Sequence, residues 1–323
     1  MEILRNDGLR AWGCHDGVTP HVKRITLVLS VAVLLAAWIL TIDGHFVRRH
    51  VPINPHRATE VANKCDASWE DMTILAADRV SLKGWLFTPR RRNGRAILFV
   101  HGRGGTRQHM LHSAQAFLGA GYTCLLIDQR GSGGSGGIFS YGVHEPYDLA
   151  NWARWLRARP GISFVYGHGG SQGATTLIQS LGAHSPLDGL AVVSAGLGII
   201  SHPYQVVGNQ LGVSEQTAQL ISWPFIEPTL AWVQRRHGIN LRQSVSGLDA
   251  IRSTEVPVLI IQGAEDRDTP LMGAMQLRDA NPGKVDLIVI PHADHEWFSS
   301  GKPEVLGRTL AWFEAHASTL NSH

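Results

Sequence analysis

Six short apolar runs, each bounded by turn residues, punctuate this chain and constrain its fold more than any other feature. They fall at 96–100, 122–127, 162–166, 190–194, 258–262 and 285–290. Each is short for a helix and too uniformly apolar for a strand with one wet face, so each reads as a strand buried on both sides. Between most of them lie segments of helical period. At 145–157, for example, Leu149, Trp152, Trp155 and Leu156 share one face. Such alternation predicts an α/β class fold, a mostly parallel doubly wound sheet with helices on both faces. Chemistry in these folds gathers at the carboxyl ends of the strands. Two further strands, 72–76 and 80–88, read as an antiparallel hairpin turning at Asp78-Arg79.

Two stretches depart from this rhythm. About sixty residues lie between 194 and 258, more than a crossover needs, and they carry Trp223, Phe225 and Trp232. That length predicts a small helical cap at about 197–250. Near the N-terminus, 25–42 is an 18-residue run without a charge. As a helix at about 1.5 Å per residue it reaches roughly 27 Å, near the hydrocarbon thickness of a bilayer. Its polar residues, Thr26, Ser30 and Thr41, do not make the stripe of a core helix, and no Ala-x-Ala exit marks a cleaved signal. The chain therefore divides into a tail (1–24), a single-pass transmembrane anchor (25–42), a polar linker with Pro52 and Pro55 (43–68), and a globular domain (69–323). Within twenty residues of the span, four Lys or Arg precede it (Arg5, Arg10, Lys23, Arg24) and three follow (Arg48, Arg49, Arg57). This small excess points the globular domain to the non-cytoplasmic side.

Three strand ends carry the chemistry. After the run 162–166 comes Gly169-Gly170-Ser171-Gln172-Gly173, a G-x-S-x-G match that opens a helix predicted from Gln172 to Leu181. A serine thrown out of a sharp strand-to-helix turn has strained backbone angles, and small neighbours relieve the crowding. The helix start also offers N–H groups to an oxyanion. After 258–262, the turn Gly263-Ala264-Glu265-Asp266-Arg267-Asp268-Thr269-Pro270 supplies three acids, Glu265, Asp266 and Asp268, any of which could orient an imidazole. After 285–290 comes Pro291-His292-Ala293-Asp294-His295. The order serine, acid, histidine is the one this architecture uses for nucleophilic acyl transfer.

Together with His101-Gly102-Arg103-Gly104-Gly105 and Asp128-Gln129-Arg130-Gly131, these pieces resemble the α/β-hydrolase superfamily over about 70–318. The Gly-Gly-Ser-x-Gly elbow is similar to that of esterases and prolyl-oligopeptidase-like enzymes, and the anchored layout resembles Bem46-like single-pass hydrolases. The resemblance implies Ser171 as nucleophile, Asp266 as acid and His295 as base. It also implies an oxyanion hole from the backbone N–H groups of Arg103 and Gln172, with no cofactor and no metal. One departure leaves an alternative open. Because the strand before the elbow ends in Tyr166-Gly167-His168, a register with Gly169 in the nucleophile position would give an inactive relative.

Rival motifs are weaker. Gly133-Gly134-Ser135-Gly136-Gly137 is followed by loop residues rather than a helix. Gly131-x-Gly133-x-x-Gly136 lacks the helix and distal acid of a dinucleotide site. His292, Asp294 and His295 have neither H-E-x-x-H spacing nor a cysteine pair, so zinc is not indicated. His101 reads as structural, and Trp85, Trp152 and Trp312 as core. Cys14, Cys65 and Cys124 form no metal spacing and no disulfide framework. Net charge is +3 with no basic stripe, which excludes nucleic acid as the expected partner. The expected function is hydrolysis of a carboxylic ester or related acyl substrate, a lipid among them. The alternatives are a serine peptidase of the prolyl-oligopeptidase-like type and a non-catalytic, membrane-anchored binding module.

Overall fold

The computed structural model of the protein describes residues 51–198, 200–295 and 302–320, with Ser30 as an isolated position. The span expected at 25–42 otherwise lies outside the described residues, and no helix among these is long and apolar enough to cross a membrane. Eight strands form one sheet: β1 (Ala67–Leu75), β2 (Ser81–Pro89), β3 (Arg95–Val100), β4 (Thr123–Ile127), β5 (Phe164–Gly170), β6 (Gly189–Val193), β7 (Val258–Gly263) and β8 (Val285–Ile290). Their spatial order is β1-β2-β4-β3-β5-β6-β7-β8. The first hairpin is antiparallel, β2 joins β4 antiparallel, and every later pairing is parallel.

The continuous apolar runs are explained by what covers them. Along β3, Ala96, Leu98 and Val100 enter one core while Ile97 and Phe99 enter the other. The first core lies under α3 (Glu145–Arg157), α4 (Gln172–Gly182), α7 (Gly247–Ser253) and α8 (Leu271–Ala280). The second lies under α1 (Pro55–Lys64), α2 (Leu111–Gly119) and α9 (Pro303–Leu320). Because successive strand side chains point to opposite faces, the central strands, covered on both, carry no polar alternation, whereas the edge strand β1 does alternate.

Two sequence-based boundaries need correction. The linker expected at 43–68 contains α1, because Asn54 caps it, Pro55 fits its first turn, and Ala58, Val61 and Ala62 bury one side on the sheet. Strand β5 begins later than read and continues through His168, Gly169 and Gly170. Its glycines look like a turn in sequence, yet a Cβ on Gly169 would stand 2.6 Å from the Val100 carbonyl oxygen. They are there for close packing between neighbouring strands.

The interval expected to hold a cap carries α5 (Pro203–Leu211) and the long α6 (Glu215–His237), followed by a 3-10 turn, Leu241–Gln243. Val233 of α6 packs with Val143, Ile239 and Leu241 in a small separate cluster. The last helix of the interval, α7, belongs to the main body beside α4.

Candidate active site

The site is assembled where β5, β7 and β8 end. Strand β5 runs to Gly170, and Ser171 turns the chain into α4 with φ 54° and ψ −124°. A non-glycine residue held there costs roughly 1–3 kcal/mol, which the surroundings must impose. The clamp is visible. The Ser171 N–H donates to the Val193 carbonyl (2.9 Å), and its own carbonyl accepts from the Thr175 N–H (3.0 Å). Gly173 has no alternative, since a Cβ there would meet the Val100 oxygen at 2.3 Å and the His101 oxygen at 2.6 Å. Ser171, not Gly169, occupies the strand-to-helix corner.

Ser171 Oγ lies 3.0 Å from His295 Nε2, and His295 Nδ1 lies 2.9 Å from Asp266 Oδ2. Three residues separated by as many as 124 positions thus form one hydrogen-bonded line. Of the three acids in the turn after β7, Asp266 is buried and reaches the ring. Asp268 is exposed, with its carboxylate 4.0 Å from His295 Nε2, and Glu265 pairs instead with His292 at the surface.

Asp266 is held from every side. Oδ1 accepts the N–H groups of Asp268 (3.0 Å) and Thr269 (2.8 Å). Oδ2 accepts the Thr269 hydroxyl (2.9 Å) and the Gln262 amide (3.2 Å). Burial pushes the carboxyl upward, but hydrogen bonds from His295, Thr269 and Ser194 outweigh it and leave the group down at about 2. It is a carboxylate at any pH where the imidazole can act as a base.

Thr269, Gln262 and Ser194 were not read as site residues from sequence. Two of them left a trace: Gln262 is the lone polar residue in an apolar run, and Thr269 follows Asp266 at a spacing typical of side-chain-stabilised turns. Ser194, at φ 52° with its N–H donating to the Ile261 carbonyl (3.0 Å), left none.

Arg103 and Gln172 line the same shallow cleft beside Ser171, walled also by Gly102, Gln129, Phe139 and Tyr141. The loop that carries Arg103 is locked by His101. Its Nδ1 meets the Gly102 carbonyl (2.7 Å) and its Nε2 accepts the Gln129 N–H (3.1 Å). Burial lowers the pKa of His101, so this ring is a neutral fastener. The opposite loop is fixed by buried Asp128, which accepts the N–H groups of Arg107 (2.7 Å) and Gly134 (2.8 Å). Ser135 of the second G-x-S-x-G donates to the Asp128 carbonyl (2.7 Å) and accepts the Lys83 N–H (2.9 Å), so its hydroxyl is committed to the loop. A larger hollow of about 530 Å³ runs beside α6, between Trp223, Glu227 and Arg242, and shares no wall with the cleft. Among the described residues no group of His, Cys, Asp and Glu is placed to hold a metal ion.

Residues 107–319 match the prolyl oligopeptidase family. The uncharacterized protein YqkD of Bacillus subtilis is 27% identical over 278 residues, 84% of this chain and 88% of that protein. An uncharacterized protein of Mycobacterium tuberculosis is 25% identical over 293 residues, 88% of this chain and 91% of its own. Among solved structures, the esterase Pf2001 of Pyrococcus furiosus superposes with a TM-score of 0.61 at 21% identity, covering 84% of this chain and 97% of the esterase. The α/β hydrolase GrgF from a Penicillium species superposes with a TM-score of 0.59 at 18% identity, covering 77% and 99%. At these identities the likeness is one of fold, the α/β-hydrolase fold.

Proposed function

The chain belongs to the prolyl oligopeptidase family, and from that premise we propose that it cleaves carboxylic esters or related acyl bonds through Ser171, His295 and Asp266. The observation that carries this reading is the hydrogen-bonded line from Ser171 Oγ through His295 to Asp266, begun on a strained corner at a helix start. In the proposed cycle His295 Nε2 takes the Ser171 proton as Oγ attacks the carbonyl carbon. The N–H groups of Arg103 and Gln172 receive the oxyanion. The imidazolium, held in place by Asp266, gives its proton to the leaving alkoxide. Water then enters by the reverse path, with His295 as base, and releases the acid.

A fluorophosphonate probe tests the assignment directly. It is expected to label Ser171 in the wild-type protein and to leave Ser171→Ala unlabelled. On p-nitrophenyl acyl esters that substitution is expected to lower kcat by about four to six orders of magnitude without changing the fold. Ester turnover that survives Ser171→Ala would falsify the assignment.

The family favours a second reading, cleavage of a peptide bond by the same three residues. Parallel kcat/KM measurements on acyl esters and on peptide amides separate the two. The esterases among the structural neighbours and the aromatic walls of the cleft, Phe139 and Tyr141, support the ester. The span 25–42 is proposed as a single membrane anchor, which would hold the site beside acyl lipids.

A further inference from the structure

The long helix α6 carries apolar residues on its inner side and exposes others along its outer side. Leu220, Pro224, Pro228 and Ala231 follow one another at helical spacing along a single stripe, flanked by Ile221 and Trp232. Leu220 is 79% exposed, Ile221 50% and Trp232 40%, while Trp223, 57% exposed, stands off the stripe on the side of the hollow. The buried residues of the same helix, Ala218, Thr229 and Val233, lie on the opposite side. A surface helix ordinarily shows water its polar residues, and a contiguous apolar stripe marks a contact surface.

Where this stripe lies is informative. The inner side of α6 packs through Val233 and Leu230 against Val143 and Tyr141, and Tyr141 walls the cleft beside Ser171. The chain also enters the body at this end of the sheet. Asn54 N–H donates to Gln108 Oε1 (3.2 Å) and the Gln108 amide to the Pro52 carbonyl (3.2 Å), just past the loop that carries Arg103. Between the apolar run 25–42 and Val51 there are eight residues. Fully extended, they span at most about 28 Å. A bilayer crossed by 25–42 would therefore lie no more than that distance from the point where the chain enters the body, beside the loop that carries Arg103.

We propose that the outer face of α6 seats in the interfacial layer of that bilayer, with anionic headgroups as its polar partners. The contact rests on the span proposed for 25–42. Charge agrees with it: Arg235 and Arg236 are exposed in the last turn of α6, while Glu227, the one acid of the helix beyond its first turn, is occupied by Arg242 and Tyr204. Depth follows from the two prolines. Pro224 and Pro228 lack the N–H that would bond the Leu220 and Pro224 carbonyls, so these two acceptors keep the stripe at the hydrated boundary rather than in the hydrocarbon.

The test uses the full chain in vesicles of phosphatidylcholine and phosphatidylglycerol with brominated acyl chains, which quench tryptophan on contact. Trp38, within the apolar run, serves as the internal reference. The conservative pair Trp223→Phe/Trp232→Phe is expected to remove the share of quenching that Trp38 does not supply. Leu220→Asp/Ile221→Asp, checked for an unchanged circular dichroism spectrum, is expected to lose that same share while the protein still floats with the vesicles. Flotation with quenching unchanged in the phenylalanine pair would overturn the contact and leave the anchor standing. A chain that does not float would overturn both. A detergent-solubilised dimer that Leu220→Asp/Ile221→Asp dissociates, with quenching unaltered by the phenylalanine pair, would assign the face to a second copy instead.

Discussion

In the proposed triad a single buried carboxylate decides whether His295 serves as the base. Asp266 accepts from the side chains around it and from two backbone amides, so it enters the site charged and already oriented. Asp266→Asn keeps the shape but supplies an N–H where the ring needs an acceptor, favouring the wrong tautomer. The expected result is a fall in kcat of about four orders of magnitude, read by ester hydrolysis at neutral pH. His168 makes the opposite use of burial. It sits inside the second core, edge-on to Phe99 at 5.7 Å, and its Nδ1 meets the Ala191 carbonyl at 2.9 Å. Burial lowers its pKa from 6.5 to about 4. Between those values the unfolded chain binds a proton that the folded chain refuses, so stability falls as pH drops through the window. The full loss is about 3 kcal/mol, complete below the folded value. His168→Asn retains a donor for Ala191 and cannot titrate in this range. Its denaturation midpoint is expected to be flatter than that of the wild type between pH 6.5 and 4, and parallel curves would refute the account.

At the scale of elements, the central strands were legible because burial on both faces forces nearly continuous apolar runs: 258–262 falls within β7, which is buried at every position. The elbow was legible because Gly169, Ser171 and Gly173 answer a steric demand that few residue types meet. What remained hidden depended on distant neighbours. Nothing near Pro55 announces that α1 will bury Val61 on the sheet, and a glycine-rich strand end resembles a loop until its neighbours are known. The same holds for the ion pairs that tie elements together. Arg130 joins the turn of the first hairpin, through Asp78 (2.9 Å), to Asp148 of α3 (2.6 Å), with the guanidinium almost wholly buried. Arg130→Ala strands a buried carboxylate and is expected to cost about 3–5 kcal/mol, measurable as a lowered urea midpoint with an unchanged slope.

At the scale of the whole molecule, the globular body and the proposed anchor stand on different grounds. The sheet, its two cores and the meeting of Ser171 with His295 belong to the described residues; the proposed anchor rests on the apolar length of 25–42. Leu34→Arg/Leu35→Arg puts two cations at the centre of that run, at a cost of about 6 kcal/mol on insertion scales. The double variant is expected to move from the membrane pellet to the supernatant on alkaline carbonate extraction, where the wild type stays in the pellet. The order of the strands has one more consequence. The serine is translated early in the catalytic half, the carboxylate much later, and the imidazole follows only after the sheet's last edge strand. With the proposed triad, a nascent or truncated chain that stops before β8 would hold a hydroxyl with no base to activate it, so turnover is expected only once the final strand has docked.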